Sequence, residues 1–343
     1  MLCGCFFASL REIAFEVVML FEIGVVLAKG LVVTLLLLGA GAYMTLIERV
    51  LMARMQLRLG PNRVGPFGLL QPIADGIKLL CKESFQPANI ETFTYWLAPG
   101  ISLFIALFVF VLIPFGGTVE LWGHQIDLRI ADVNAGIVFL LAFSSLAVYG
   151  VVLAGWSSNN RYSLLGGLRG TAQMISYEIP MGISLLTVIL SAGTLSLPGI
   201  VEAQRDHWFI WTNPIGFLIY LTTAFAETNR APFDMPEAEQ ELTGGYHTEY
   251  GGMKFAVFFL AEYINIIAVS AIAVTLFLGG WHGPGDIPVL WFLVKVAFFI
   301  FFFMWVRATM PRFRYDQLMS FGWKVLVPLA TVNLILTAYF TMV

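Results

Sequence analysis

Charge is scarce in this chain. Only 12% of its 343 residues are Asp, Glu, Lys or Arg, against about 25% in soluble domains. Hydrophobic residues make up 59%, and the mean hydropathy is +0.82. Cysteine is scarcer still: Cys3, Cys5 and Cys81 form no C-x-x-C pair, and the four histidines are scattered. An iron–sulfur cluster needs about four suitably spaced thiolates and a structural zinc about four ligands. No such set is present, so no metal and no bound cofactor is expected of this chain. No G-x-G-x-x-G or G-x-x-x-x-G-K-[ST] run points to a nucleotide. The net charge of −3 gives no case for nucleic acid.

What the chain does have is long apolar runs. A bilayer-spanning helix takes about 20 mostly apolar residues. Eight segments qualify, near 25–47, 94–114, 134–155, 172–192, 209–226, 254–278, 288–308 and 321–341. The expected fold is therefore all-α, a polytopic membrane protein with eight transmembrane helices in one membrane domain, 25–343. Pro99, Pro180 and Pro328 lie in or at the start of three spans, where neighbouring helices can satisfy the freed carbonyls. Residues 1–24 mix apolar positions with Arg11, Glu12, Glu16 and Glu22. They fit a secretory signal poorly and read as an N-terminal extension, with Met19 an alternative start.

Basic residues fix an orientation. Fourteen of the 19 Lys and Arg flank one set of loops, Arg11, Lys29, Arg129 and Arg205 flank the other, and Lys295 lies within a span. The rich side is expected to be cytoplasmic. An even number of spans then puts both termini outside, in the periplasm if the membrane is the bacterial inner membrane. In the first cytoplasmic loop, 49–93, residues 71–83 predict an amphipathic helix lying at the interface. Ile73, Ile77 and Leu80 form one face and Asp75, Lys78 and Lys82 another. Asp75 and Lys78 are one turn apart, a surface pair worth under about 1 kcal/mol. His207, Trp208 and Trp211 suit an interfacial belt.

Acidic residues sit where they cost most. A charge at the bilayer centre costs about 2.5–3.5 kcal/mol on insertion scales. Yet Glu178 and Glu262 lie inside spans, and Glu48 and Glu227 end two others. Each is a functional candidate by position; the alternative is a paired carboxylate that holds two helices together. Between two spans, residues 226–242 carry Glu227, Asp234, Glu237, Glu239, Glu241 and one arginine, Arg230. On a helix Glu237 and Glu241 would share a face. Carboxylates packed this closely should raise at least one pKa, unless the run is simply a solvated loop. Arg230 is placed to pair with one of them.

Three segments resemble one family closely. They are Ala226-Glu-Thr-Asn-Arg-Ala-Pro-Phe-Asp-Met-Pro-Glu-Ala-Glu-Gln-Glu-Leu242; Gln56-Leu-Arg-Leu-Gly-Pro-Asn-Arg-Val-Gly-Pro66 with its continuation to Glu83; and Pro311-Arg-Phe-Arg-Tyr-Asp-Gln-Leu318. Together they resemble the quinone-chamber membrane subunit of respiratory complex I. The resemblance covers nearly the whole chain after about residue 25. It implies a proton-translocating NADH-quinone oxidoreductase subunit, not catalytic alone. Glu48, Glu178, Glu227, Asp234, Glu237, Glu239, Glu241 and Glu262 would form a proton path. Arg49, Gln56, Arg58, Asp75, Phe259, Tyr263 and Arg307 would line the quinone cavity. Quinone would be the substrate, with FMN and iron–sulfur clusters in partner subunits. Those partners would be peripheral-arm subunits on the cytoplasmic side and small or antiporter-like subunits in the bilayer. The nearest alternative is the homologous membrane component of a membrane-bound hydrogenase. A secondary transporter is more remote, since no inverted repeat is visible.

Overall fold

A computed structural model describes residues 2–342 apart from 88, 122, 123, 238, 285 and 286; the side chains of 2–22, 118–121, 124–126, 239 and 240 lie outside the described set. Thirteen helices are described: α1 (Leu2–Met55), α2 (Gln71–Cys81), α3 (Thr92–Leu112), α4 (Gly136–Ser157), α5 (Arg161–Ala192), α6 (Leu197–Ala203), α7 (Phe209–Thr212), α8 (Pro214–Glu227), α9 (Glu239–Leu242), α10 (Met253–Phe277), α11 (Pro288–Thr309), α12 (Tyr315–Phe321) and α13 (Val327–Met342). Seven described helical segments are long and apolar enough to cross a membrane, and α8, at 14 residues, is a shorter apolar helix. One element departs from the all-α expectation. Strands β1 (Thr118–Leu121) and β2 (His124–Asp127) form a two-stranded antiparallel ribbon with Thr118 opposite Asp127.

Several predicted boundaries shift for local reasons. The 25–47 segment is the middle of a continuous 54-residue helix, about 80 Å long at 1.5 Å per residue. The 172–192 segment extends back to Arg161, where the Asn160 side chain caps the helix by accepting from the Tyr162 amide at 3.0 Å. The glycines at 166, 167 and 170 hid that extension, because glycine lowers helix propensity. Here they let neighbours approach: a Cβ on Gly155 of α4 would lie 2.7 Å from the Ser163 carbonyl and 3.2 Å from the Gly167 Cα. The 209–226 segment breaks in two at Asn213. Pro214 cannot continue α7, and the Asn213 side chain accepts from the Gly216 amide at 3.0 Å to start α8. The last segment passes through a π-helical turn, Gly322–Leu326, between α12 and α13.

The core sits on α10 and α5. Along α10, Ala261, Tyr263, Ile264 and every residue from Ile266 to Phe277 are buried, packed against α1, α3 and α11. Helix α5 packs on α4, α8 and α13. A polar brace crosses the apolar interior: Asn333 Nδ2 of α13 donates to Asn213 Oδ1, at the start of α8, at 2.9 Å, and Asn213 Nδ2 donates to Thr187 Oγ1 of α5. By contrast α1 turns Leu27, Leu31, Leu35 and Leu36 outward, as a lipid-facing helix does.

Candidate functional site: an acidic loop folded into the bundle

The acidic loop after α8 is seated on one face of α5. Gly166, Gly170 and Gln173 lie one turn apart along that face. A Cβ on Gly166 would come within 2.8 Å of the Gly245 Cα and the Tyr246 nitrogen, and one on Gly170 within 2.6 Å of the Pro236 ring. Gln173 Nε2 donates to the Ala226 and Phe233 carbonyls, 2.7 Å each, and so clamps both ends of the turn that contains Arg230. The loop closes on itself where the Tyr246 amide donates to the Pro236 carbonyl at 3.2 Å. Gly245 makes that closure possible: its φ is +61°, and a Cβ there would fall 1.7 Å from the Pro236 oxygen.

This folding buries charge. Arg230 is 3% exposed. Its Nη2 lies 2.9 Å from Glu262 Oε2 of α10, and its guanidinium lies over the rings of Tyr263 and Phe259 at 4.6 and 5.4 Å. Tyr246 donates its hydroxyl to the other oxygen of Glu262 at 3.1 Å. Glu237 is buried, with His247 Nδ1 3.9 Å from its Oε1. Burial pushes the Asp234 carboxyl up to about 6, against the pull of Arg312 and with a further push from Glu262. Asp234 therefore changes protonation within a unit or so of neutrality.

Two cavities continue inward from this cluster. One, of about 70 Å³, is lined by Glu227, Glu262, Tyr246, Asn229 and Asn265, among apolar residues of α3, α5 and α10. The second, of about 10 Å³, is lined by Glu178, Glu227, Tyr177 and Thr223. A water needs roughly 10–15 Å³ of such space and two to four polar partners. The first cavity has room for several waters, and the second is at the limit for one. Glu227 faces both. Glu178 accepts a hydrogen bond from Ser145 of α4. The arrangement is thus a file of carboxylates, Glu262, Glu227 and Glu178, with water-sized spaces between them.

The structure brings some expected residues together and separates others. Asp75 does not face Lys78. It pairs with Arg49 at 2.7 Å and accepts from Gln71 at 2.9 Å, which joins α2 to the end of α1. Arg230 does pair with a carboxylate, but with Glu262 on α10 and not with its own run. Glu237 and Glu241 share no helix face, because α9 begins only at Glu239 and Glu237 precedes it. Glu241 is exposed and pairs with Arg169 at 2.8 Å. The side chain of Glu239 lies outside the described residues. Glu48 is buried against Arg307 of α11, a pair that holds two helices together whatever else it does. Gln56 and Arg58 bond to each other on an exposed turn. Phe259 and Tyr263 pack under Arg230, and Tyr263 is within electrostatic reach of both Arg230 and Arg49. Neither cavity at Glu227 includes Arg49, Gln56, Arg58, Asp75, Phe259, Tyr263 or Arg307. The two expected groups meet at two places: Arg230, over Tyr263 and Phe259 and beside Glu262, and the Glu48–Arg307 pair. Sequence reasoning missed Gln173, Tyr246, His247, Asn229 and Asn265. The Gly244-Gly245-Tyr246-His247 run directly after the acidic stretch was the available signal.

A bundle of apolar helices whose acidic loop folds back among them defines a polytopic helical membrane protein with an ionisable interior. The chain belongs to the NADH dehydrogenase family, whose model matches residues 28–338. It is 80% identical over 304 residues to the H subunit of the NADH-quinone oxidoreductase of Protochlamydia amoebophila, covering 89% of this chain and 94% of that one. It is 52% identical over 321 residues to the first H subunit of the same enzyme in Geobacter metallireducens, covering 94% and 98% of the two chains. It is 53% identical over 315 residues to the second H subunit in Geobacter sulfurreducens, covering 92% and 96%.

Proposed function

We propose that the chain is the membrane subunit of a proton-translocating NADH-quinone oxidoreductase, in which it couples quinone reduction to proton movement along buried carboxylates. The names of its relatives favour this over a hydrogenase-type component or a transporter. The observation that carries the coupling is the position of Glu227, which faces the water-sized spaces on both sides of it.

Quinone reduction consumes two electrons and two protons. The electrons come from iron–sulfur subunits docked at the loop end of the bundle, and FMN resides in the same peripheral arm. Arg49, Gln56, Arg58, Asp75, Phe259 and Tyr263 form the wall of the quinone cavity on this chain, with Arg307 anchoring α11 beside it. Charge arriving there acts through Tyr263 on Arg230, which joins the wall to Glu262. Arg230 shares its positive charge between that wall and Glu262. A change in its pull alters the proton affinity of Glu262, and the proton passes through Glu227 to Glu178, towards antiporter-like and small membrane subunits. Asp234 and Glu237 feed the entrance, with Glu241 on its rim and Glu48 beside the cavity wall, and Glu239 is a further member of the path.

The same reading assigns the membrane topology. Eight spans, with α7 and α8 together forming the fifth, put both termini in the periplasm of a bacterial inner membrane. Residues 1–24 are an extension to the membrane domain. Helix α2 lies at the interface, with Ile73, Ile77 and Leu80 all more than half exposed for lipid or a docked partner.

Asp75→Asn and Arg58→Ala test the quinone wall. Both are expected to slow quinone reduction severalfold while electron transfer to a water-soluble acceptor upstream is kept. Equal loss of both activities in a normally assembled complex would show a remote effect instead.

A further inference from the structure

The carboxylate file needs a way in from water, and Glu237 is buried. One side chain bridges it to the loop surface. His247 lies in the short helical turn Gly245–His247, with its side chain 13% exposed. Its Nδ1 faces Glu237 Oε1 at 3.9 Å. Its Nε2 lies 3.8 Å from where a Cβ on Gly244 would sit, a position 3.3 Å from the hydroxyl of the exposed Thr248. The ring is held edge-on by Tyr246 at 5.1 Å and by Phe255 of α10 at 5.3 Å. Among the described residues, the charged and titratable groups around it include Glu237 from the loop, Glu262 from α10, Tyr246 beside it, and Arg230 paired to Glu262. Imidazole has two nitrogens on opposite edges and an ordinary pKa near 6.5, so it can accept a proton on one edge and release one from the other.

We propose that His247 is the relay that admits protons from the loop surface to Glu237, resting on the proton-path reading above. In the step, water delivers a proton to Nε2, and the Nδ1–H bond breaks as an O–H bond forms at Glu237 Oε1. One proton enters and one leaves, no electrons move, and the imidazole ends neutral in its other tautomer. The 3.9 Å separation is closed by a small ring rotation or by one bridging water. Exchange with water at the exposed edge resets the tautomer. A merely structural role would need only the ring contacts to Tyr246 and Phe255.

The test uses the complete complex in proteoliposomes, with proton uptake driven by quinone reduction. His247→Phe keeps an aromatic ring without nitrogens, His247→Ala removes the ring, and Glu237→Gln blocks the receiving carboxylate. All three are expected to slow pumping severalfold in normally assembled complex, with added imidazole restoring His247→Ala but not Glu237→Gln. Wild-type pumping in His247→Phe, or loss in His247→Ala that imidazole leaves unchanged, would overturn the relay. If His247→Ala pumps normally while Glu237→Gln does not, the relay fails and the carboxylate path stands. If Glu237→Gln also pumps normally, Glu237 is not an entrance to the path and the relay falls with it, while Glu227→Gln tests the path itself.

Discussion

Glu227→Gln should give a complex that assembles in normal amount and reduces quinone, with coupled proton pumping, roughly tenfold more slowly or worse. Positioned proton-transfer groups commonly contribute about 10²–10⁴-fold to a rate, and loss of one station leaves only detours through water. The amide keeps the shape of the carboxyl, so packing around the two cavities survives. It cannot bind and release a proton between them. Among the described carboxylates Glu227 alone lines both spaces, with Glu262 on the first and Glu178 on the second, so neither neighbour bridges the two. Glu241→Gln is the contrasting case. That side chain is 49% exposed in an ion pair with Arg169, and surface pairs contribute about 0–1 kcal/mol, so turnover should hardly change. Steady-state quinone reduction and dye-reported acidification in vesicles check both.

Gly245→Ala should abolish assembly. At φ +61° a side chain already costs about 1–2 kcal/mol. The added Cβ would also fall 1.7 Å from the Pro236 oxygen, which forces the loop closure apart. The total is on the order of 4 kcal/mol or more, in the range reserved for strained backbone and core defects. Release of the loop would also strip Tyr246 from Glu262 and lift the loop off Gly166. Gly251→Ala, six residues on, meets nothing within 4 Å and has no left-handed backbone, so it should assemble normally. The amount of intact complex in native gels of mild-detergent extracts separates the two.

The apolar helices were legible because their lengths and hydropathy report the bilayer directly. Segments 94–114, 254–278 and 288–308 lie within a residue or two of α3, α10 and α11 at most ends. The departures arise where tertiary contacts override local pattern. Gly166 and Gly170 lie outside the expected 172–192 span and lower helix propensity, yet in α5 they are the seat of the acidic loop. Asn213-Pro214 reads as the inside of an apolar run, yet it stops one helix and caps the next. The two-stranded ribbon carries only four residues per strand and lies between spans, too short for alternation to stand out. Within the site, sequence position marked Glu178, Glu227 and Glu262, because intramembrane charge is conspicuous. It could not mark their partners. Arg230 meets Glu262 across 32 positions of chain, and Asp75 meets Arg49 across 26 rather than Lys78 across three. Such pairs are set by how helices pack, which no local spacing encodes.

On the proposed function, carboxyls of this chain change protonation when quinone is reduced. Infrared difference spectra of the assembled complex, recorded between oxidised and reduced quinone in H₂O and D₂O, read this from the carboxylic-acid C=O stretch. A deuterium-sensitive band is expected to change on quinone reduction and to be lost or altered in Glu262→Gln and in Glu227→Gln, with quinone still bound. A carboxyl region that stays flat on reduction, or a band identical in wild type and both variants, would contradict it.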